Sequence, residues 1–378
     1  MSKPKHTFPT GGSVSREDLV GRESILREIY ERTYEHGNSV VLSAPRQTGK
    51  TSVVAELLER VRQVGGWGVY IDCSAAIGDE ADLARLIAAA TYDSARGVSG
   101  AFVRLRDFIS GVPKPVFYQS DMDLAVSFHG KDPEPPHVLL EKALALADNM
   151  AAGANKRVVV VYDEFQILAS LSPTIFTRIR ATLQHHMNHA AYVFAGSETG
   201  ILEGLFTRPE AMPFRLATVV PLPTPSPAEW TAYITTRFAE LGLTTSEEEI
   251  SGLIGVCGCH PRDLMEACEH LVTLRSLNPR GPGALSAAIA RTEAGLSAQF
   301  EEIWKGLDRP AGTRATAARI ATGSPVYGRG RNTSTVMRTL DKLEQEGLIR
   351  RIEHGRSYEF TEPLFARFVR ARAKTAYG

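Results

Sequence analysis

One stretch constrains this chain more than any other: Ser39–Val40–Val41–Leu42–Ser43–Ala44–Pro45–Arg46–Gln47–Thr48–Gly49–Lys50–Thr51–Ser52. Val40 to Leu42 is a short apolar run of the kind that forms a buried strand. A loop of small and chain-breaking residues follows. Lys50–Thr51–Ser52 then leads into Val53, Val54, Ala55, Leu57 and Leu58 at helical spacing. Four residues separate Ala44 from Gly49, so strand, loop and helix stand in the arrangement that a phosphate-binding loop requires. Gly49 lets the backbone approach phosphates and turn its N–H groups inward, and the helix N-terminus adds partial positive charge. Lys50 is expected to reach the β- and γ-phosphates of a nucleotide, and the Thr51 hydroxyl to ligate Mg²⁺. Ala44 stands where Gly is commoner and fits if its φ is negative. Residues 44–52 are therefore the expected cradle: Ala44, Pro45, Arg46, Gln47, Thr48, Gly49, Lys50, Thr51 and Ser52.

Further along, Arg157–Val–Val–Val–Val–Tyr162–Asp163–Glu164–Phe165–Gln166 reads as a strand buried on both faces of a parallel sheet. Its C-terminal end, where open α/β sheets place their ligands, carries two carboxylates. Asp163 suits coordination of Mg²⁺, directly or through water. Glu164 is expected to orient or deprotonate an attacking water. Trp67–Asp72 is a further expected strand. Ala191–Gly196 is another, ending at Ser197, which reads equally as a sensor of the γ-phosphate or as the cap of the segment from Glu198. A last core strand spans Ala217 to Leu222. Arg208 and Arg215 precede it, and either fits an arginine finger in cis or toward a neighbouring subunit as well as a surface position.

The remaining segments set the organisation. Residues 1–14 read as a flexible N-terminus and 15–224 as the core, with an irregular insert at about 97–136 that suggests a small hairpin. Residues 225–306 read as a helical unit. Ser226–Pro–Ala–Glu229 is a capping box, and Pro261 opens a helix after Cys257–Gly258–Cys259–His260. The Cys/His spacing around that turn matches no zinc pattern, so small buried thiols are the default. Residues 307–378 give a helix, a second helix from about Asn332 that stops at Gly347, and two strands about His354–Gly355. That is the order of a winged helix-turn-helix. Asn332, Thr333, Ser334 and Arg338 would enter a major groove, with Arg329, Arg331, Arg350, Arg351 and Arg356 on phosphates.

Charge sharpens this division. The chain is neutral overall, but from Pro310 onward 13 Lys/Arg face six Asp/Glu, which leaves the first 309 residues at −7. Such asymmetry points to double-stranded DNA at the C-terminal end. Hydrophobic residues at 43% with no apolar run near the ~20 residues of a membrane helix exclude a membrane partner among the expectations. Four cysteines and an opening without an apolar core lead us to expect a cytoplasmic protein.

With these residues assembled, the chain resembles the archaeal-type P-loop ATPases of the AAA+/STAND superfamily, relatives of the origin-recognition ATPases. The resemblance runs over most of residues 15–370: Val20–Gly21–Arg22–Glu23, Ala44 to Thr51, Tyr162–Asp–Glu–Phe–Gln166, Ala195–Gly–Ser197, Gly258 to Pro261, and Glu362–Pro–Leu–Phe365. It implies an α/β core with a parallel sheet, an extra strand between those bearing the phosphate loop and the acidic pair, a helical lid and a winged helix. ATP and Mg²⁺ are the implied cofactors. Val20, Gly21 and Arg22 would line the adenine pocket. Pro261 and Arg262 would fold over the nucleotide, Arg262 as a second sensor. Cys257–Gly258–Cys259 departs from the Gly-Gly usual before that Pro. Two readings of function follow: an ATPase whose nucleotide state, ATP or ADP, controls DNA binding, or a nucleotide switch that assembles with itself or with protein partners. A small-molecule kinase leaves the lid and wing unexplained.

Overall fold

The computed structural model describes residues 8–76, 78–95, 114–119, 124–129, 135–197, 202, 204–206, 216–278, 282–327, 332–352 and 357–377. Among the described residues, seven of nine strands fall in the first part of the chain: β1 (Val40–Ser43), β2 (Trp67–Asp72), β3 (Lys114–Gln119), β4 (Leu124–His129), β5 (Val158–Asp163), β6 (Ala190–Gly196) and β7 (Thr218–Pro221). Five of these form one sheet in the order β2-β5-β6-β1-β7, all parallel. β6 lies between β1 and β5, which puts a strand between the one before the phosphate loop and the one ending in Asp163. The extra strand implied by the resemblance is there.

Alternation along the strands explains why the sheet is buried twice. Val158, Val160 and Tyr162 join Trp67, Val69, Ile71, Tyr192 and Phe194 in one apolar cluster. Val159 and Val161 face the other way, packing with Val40, Leu42, Val193, Leu57 and Leu58. Helices on both faces exclude water from the sheet, so only the strand ends remain for polar side chains. At the C-terminal edge Asp72 stands opposite Asp163, and Ser43 opposite Gly196 and Pro221. Between β2 and β5 the chain forms two long helices, Glu80–Ala95 and Pro136–Ala154, and the antiparallel pair β3–β4 lies inside the expected insert.

The second half of the chain is helical: Pro227–Glu240, Glu247–Cys257, Pro261–Leu277 and Ala284–Gly306. The first two start with complete capping boxes at Ser226 and Ser246. Two further helices, Thr313–Thr322 and Thr333–Gln345, precede the antiparallel pair β8 (Ile349–Ile352) and β9 (Ser357–Phe360), and a last helix runs Pro363–Tyr377. One apolar cluster runs continuously from Trp230 through Leu264 and Phe300 to Leu343 and Phe365, so these helices and the C-terminal elements share a core.

The N-terminus differs from expectation. Phe8 is 2% exposed and packs on Tyr233 and Phe238 with ring centroids 5.9 and 5.7 Å away. Its N–H donates to Glu269 Oε2 at 3.1 Å, and the Val14 N–H donates to Ser52 Oγ at 3.0 Å. A large aromatic ring can hold an otherwise polar strap in place because its burial contributes roughly 2–3 kcal/mol. Residues 8–14 are thus tied down rather than loose; residues 1–7 lie outside the described ones.

Candidate nucleotide-binding site

The loop after β1 has the geometry its sequence requires. Gly49 has φ +92°, a left-handed conformation that a side chain would strain, and Gln47 also has positive φ. The helix Lys50–Gln63 begins at once, with its first N–H groups facing a cavity of about 580 Å³. That cavity is lined by every expected residue from Arg46 to Ser52, by Val20 and Arg22, by Glu164 and Ser197, and by Pro261 and Arg262. Lys50 is buried, with its Nζ donating to the Pro45 carbonyl at 3.2 Å. Burial pushes its pKa down, against the pull of Glu164 and Asp163.

Two carboxylates stand at the end of β5, and of these Glu164 lines the cavity. Asp163 Oδ2 accepts from Thr51 Oγ1 at 3.0 Å and from the Tyr70 hydroxyl at 2.9 Å. Thr51 and Asp163 therefore form a pair of hard oxygen donors at the helix start, a set suited to Mg²⁺. Glu164, at φ +50°, has its Oε2 held by Ser197 Oγ at 2.8 Å and by Gln166 Nε2 at 2.6 Å. Ser197 thus touches Glu164 directly. Tyr70 and Gln166 were not anticipated as partners. Only the pairing of β2 with β5, and the step from β5 into the short helix at Phe165–Ser170, brings them there.

Residues before β1 and after Gly258 also meet this loop. Arg22, 3% exposed, donates to the Thr48 carbonyl at 2.9 Å and also to that of Pro223. Burial lowers its pKa to about 10 although Glu229 opposes this. Gly21 has φ +64°, and a Cβ there would meet the Glu229 carboxylate at 2.8 Å. Val20, Leu19, Pro225, Trp230 and Met265 add apolar side chains to the cavity lining. Pro261 opens the helix Pro261–Leu277, and Arg262 lines the cavity while bonding Gln299 at 2.9 Å. Cys257 and Cys268 are buried in the apolar core, and burial pushes the Cys257 thiol up to about 12.

No protein-family model and no curated protein sequence matches the chain. Solved structures do. The Walker-type ATPase of Pyrococcus abyssi aligns with a TM-score of 0.71 at 17% identity, over 96% of this chain and 99% of that one. The fold is shared with that Walker-type ATPase. The ORC2 protein of Aeropyrum pernix, in its ADPNP–ADP complexes, aligns at a TM-score of 0.62 and 14% identity, over 98% of both chains. Its ADP form gives 0.55 at 13% identity. At such identities the likeness fixes the fold, and the chemistry of this P-loop ATPase fold rests on the residues above.

The remaining expected residues fall elsewhere. Arg208 and Arg215 lie outside the described residues, as do Arg329, Arg331 and Arg356. Asn332, Thr333, Ser334 and Arg338 are exposed along the start of their helix. The Asn332 Oδ1 is engaged as a cap, accepting from the Ser334 N–H at 3.0 Å and from its hydroxyl at 2.6 Å. Arg350 and Arg351 do not project freely. Arg350 pairs with Glu359 at 2.5 Å, and Arg351 with Glu344 at 2.8 Å. Among the described residues no helix is long and apolar enough to cross a membrane.

Proposed function

We propose that this protein binds and hydrolyses ATP in the cavity above β1 and that its nucleotide state controls a C-terminal winged helix that binds double-stranded DNA. The observation that carries the nucleotide reading is the bond from Thr51 Oγ1 to Asp163 Oδ2, which joins the phosphate loop to the acidic strand end with Glu164 and Lys50 beside it. In this reading Lys50 and the N–H groups of Gly49 and Thr51 hold the β- and γ-phosphates. Thr51 and Asp163 hold Mg²⁺, which when bound neutralises charge building on the phosphoryl oxygens. Glu164 takes the proton of the attacking water, and Ser197 and Gln166 fix its carboxylate. Val20, Gly21, Trp230 and Met265 receive the base, and Pro261 and Arg262 cover the phosphates. The ADPNP–ADP complexes named for the Aeropyrum pernix protein support a nucleotide in this fold. Arg215 is the proposed finger, in cis or toward a second copy.

We propose the core as residues 15–224, the lid as 225–306 and the winged helix as 307–378. On the winged helix, exposed Arg338 with Asn332, Thr333 and Ser334 would meet base edges, and Arg329, Arg331 and Arg356 phosphates. The ion pairs of Arg350 and Arg351 favour a second reading, a nucleotide switch that assembles with protein partners, because Glu359 and Glu344 already neutralise the charge that phosphates would meet. The nucleotide reading is tested by titrating ADP·Mg²⁺ calorimetrically into wild type and Lys50→Ala, with phosphate release measured for Glu164→Gln. Lost binding in the first variant, and binding without turnover in the second, are expected. Unchanged ADP affinity in Lys50→Ala would overturn it.

A further inference from the structure

Tyr70 belongs to none of the motifs that mark the site, yet it bonds one of the two residues suited to Mg²⁺. It lies in β2, opposite Val161 of β5 and two residues before Asp72. From there its hydroxyl donates to Asp163 Oδ2 at 2.9 Å, the same oxygen that accepts from Thr51 Oγ1 at 3.0 Å. The other carboxylate oxygen, Oδ1, accepts from the Glu164 N–H at 3.0 Å. Asp163 is buried, and Thr51 lines the cavity while Tyr70 does not. Tyr70 therefore acts on the cavity through its neighbours.

A threonine hydroxyl has one hydrogen to donate and two lone pairs to offer. Thr51 gives its hydrogen to Asp163 Oδ2, which leaves both lone pairs for a cation. The direction in which they face depends on where Oδ2 stands. The terminal torsion of an aspartate is soft, so the carboxylate stays put only if both oxygens are bonded. The Glu164 N–H holds Oδ1, and Tyr70 reaches Oδ2 from a second strand. The Tyr70 ring is itself held, packed against the apolar cluster of Leu57, Leu58, Val159 and Val161 that joins β5 to the helix bearing Thr51. A neutral phenol also fixes the carboxylate without cancelling the charge that attracts a hard cation; a Lys or Arg in its place would cancel it.

We propose that Tyr70 is a positioning residue for the divalent cation: by bonding Asp163 Oδ2 it sets the orientation of the Asp163 carboxylate and, through it, of the Thr51 hydroxyl. The inference rests on the nucleotide-binding reading of the cavity. It requires an effect on cation affinity that is separate from nucleotide affinity, because Tyr70 stands outside the cavity lining.

The test is ADPNP affinity measured calorimetrically in excess EDTA and across a Mg²⁺ series, for wild type, Tyr70→Phe, Asp163→Asn and the double variant. Tyr70→Phe keeps the ring and loses only the hydroxyl. Wild-type affinity should rise as Mg²⁺ is added. Tyr70→Phe should match wild type in EDTA and need about 10- to 100-fold more Mg²⁺ for the same rise, the range for groups that orient metal ligands. The double variant should behave as Asp163→Asn alone, since Tyr70 acts through that carboxylate. A purely structural hydroxyl would lower the melting temperature of Tyr70→Phe and leave its Mg²⁺ requirement at the parent value. That result would overturn the inference and leave the nucleotide reading intact, as would a wild-type affinity indifferent to Mg²⁺. Absence of ADPNP binding by the wild-type protein in every condition would overturn both. If Tyr70→Phe does not fold, a parent Mg²⁺ requirement in Asp163→Asn overturns the inference by itself.

Discussion

Gly196 is the position where a single methyl group separates folding from chemistry. It stands at the end of β6 beside Ser43, and its φ is not left-handed, so Ala fits the backbone there. The Cβ of Ala would overlap Gln166 Oε1 and approach Leu202 Cδ2 to 3.2 Å. The Gln166 amide is the far end of a flexible side chain, so it moves and the strand does not. The cost to stability is then near the lower end of the about 1–3 kcal/mol typical of overpacking. The cost to chemistry is larger. Gln166 Nε2 would leave Glu164 Oε2, a 2.6 Å bond to a charged group, and such bonds are worth about 1.5–3 kcal/mol. At about 1.4 kcal/mol per tenfold, turnover should fall roughly 10- to 150-fold. Ser197 still holds the same oxygen at 2.8 Å, which sets the outcome toward the smaller figure. The assay is steady-state phosphate release for Gly196→Ala, Gln166→Ala and the double variant, with ADP affinity measured alongside. The two single variants should lose turnover alike, the double no more than either, and ADP affinity should stay at the parent value. Parent-rate turnover in Gly196→Ala, or losses that multiply in the double variant, would refute the clamp.

Two further outcomes test the frame around the site. Phe8→Ala removes the ring packed on Tyr233 and Phe238. It should cost about 3 kcal/mol at most, below the usual upper range for Phe→Ala because the strap can peel away. It should also weaken ADP binding and open residues 8–14 to protease, and a strap still protected in the variant would contradict its anchoring role. Arg338→Ala should weaken duplex binding by about 1–3 kcal/mol and relax sequence preference with the salt slope unchanged, as a base-edge contact requires; a uniform loss with the slope reduced by about one would contradict that placement.

What was legible in the sequence was local or strictly periodic. The phosphate loop declares itself because β1, the loop and the helix are contiguous, so Gly49, Lys50 and Thr51 need no distant partner to be placed. Asp163 and Glu164 were legible because a short run of four β-branched valines favours a doubly buried strand, which puts the next polar residues at the sheet edge. Tyr70 and Gln166 were not. Their role depends on the lateral pairing of β2 with β5 and on the turn after Glu164, neither of which leaves a trace in spacing. Phe8 is a lone aromatic in a polar, Gly- and Pro-rich stretch, and a lone ring has no periodicity to report its burial. The arginines of β8 read as free cations, but antiparallel pairing sets Arg350 opposite Glu359, and the helix before them brings Glu344 to Arg351.

The most direct test of the central claim is duplex-DNA binding by fluorescence anisotropy with ATP·Mg²⁺, with ADP·Mg²⁺ and without nucleotide, across a salt series. Nucleotide control of a DNA-binding C-terminal module predicts affinity that changes with nucleotide and falls steeply with salt. Binding absent at low salt in all three states would contradict it and leave the nucleotide switch with protein partners as the function of this site.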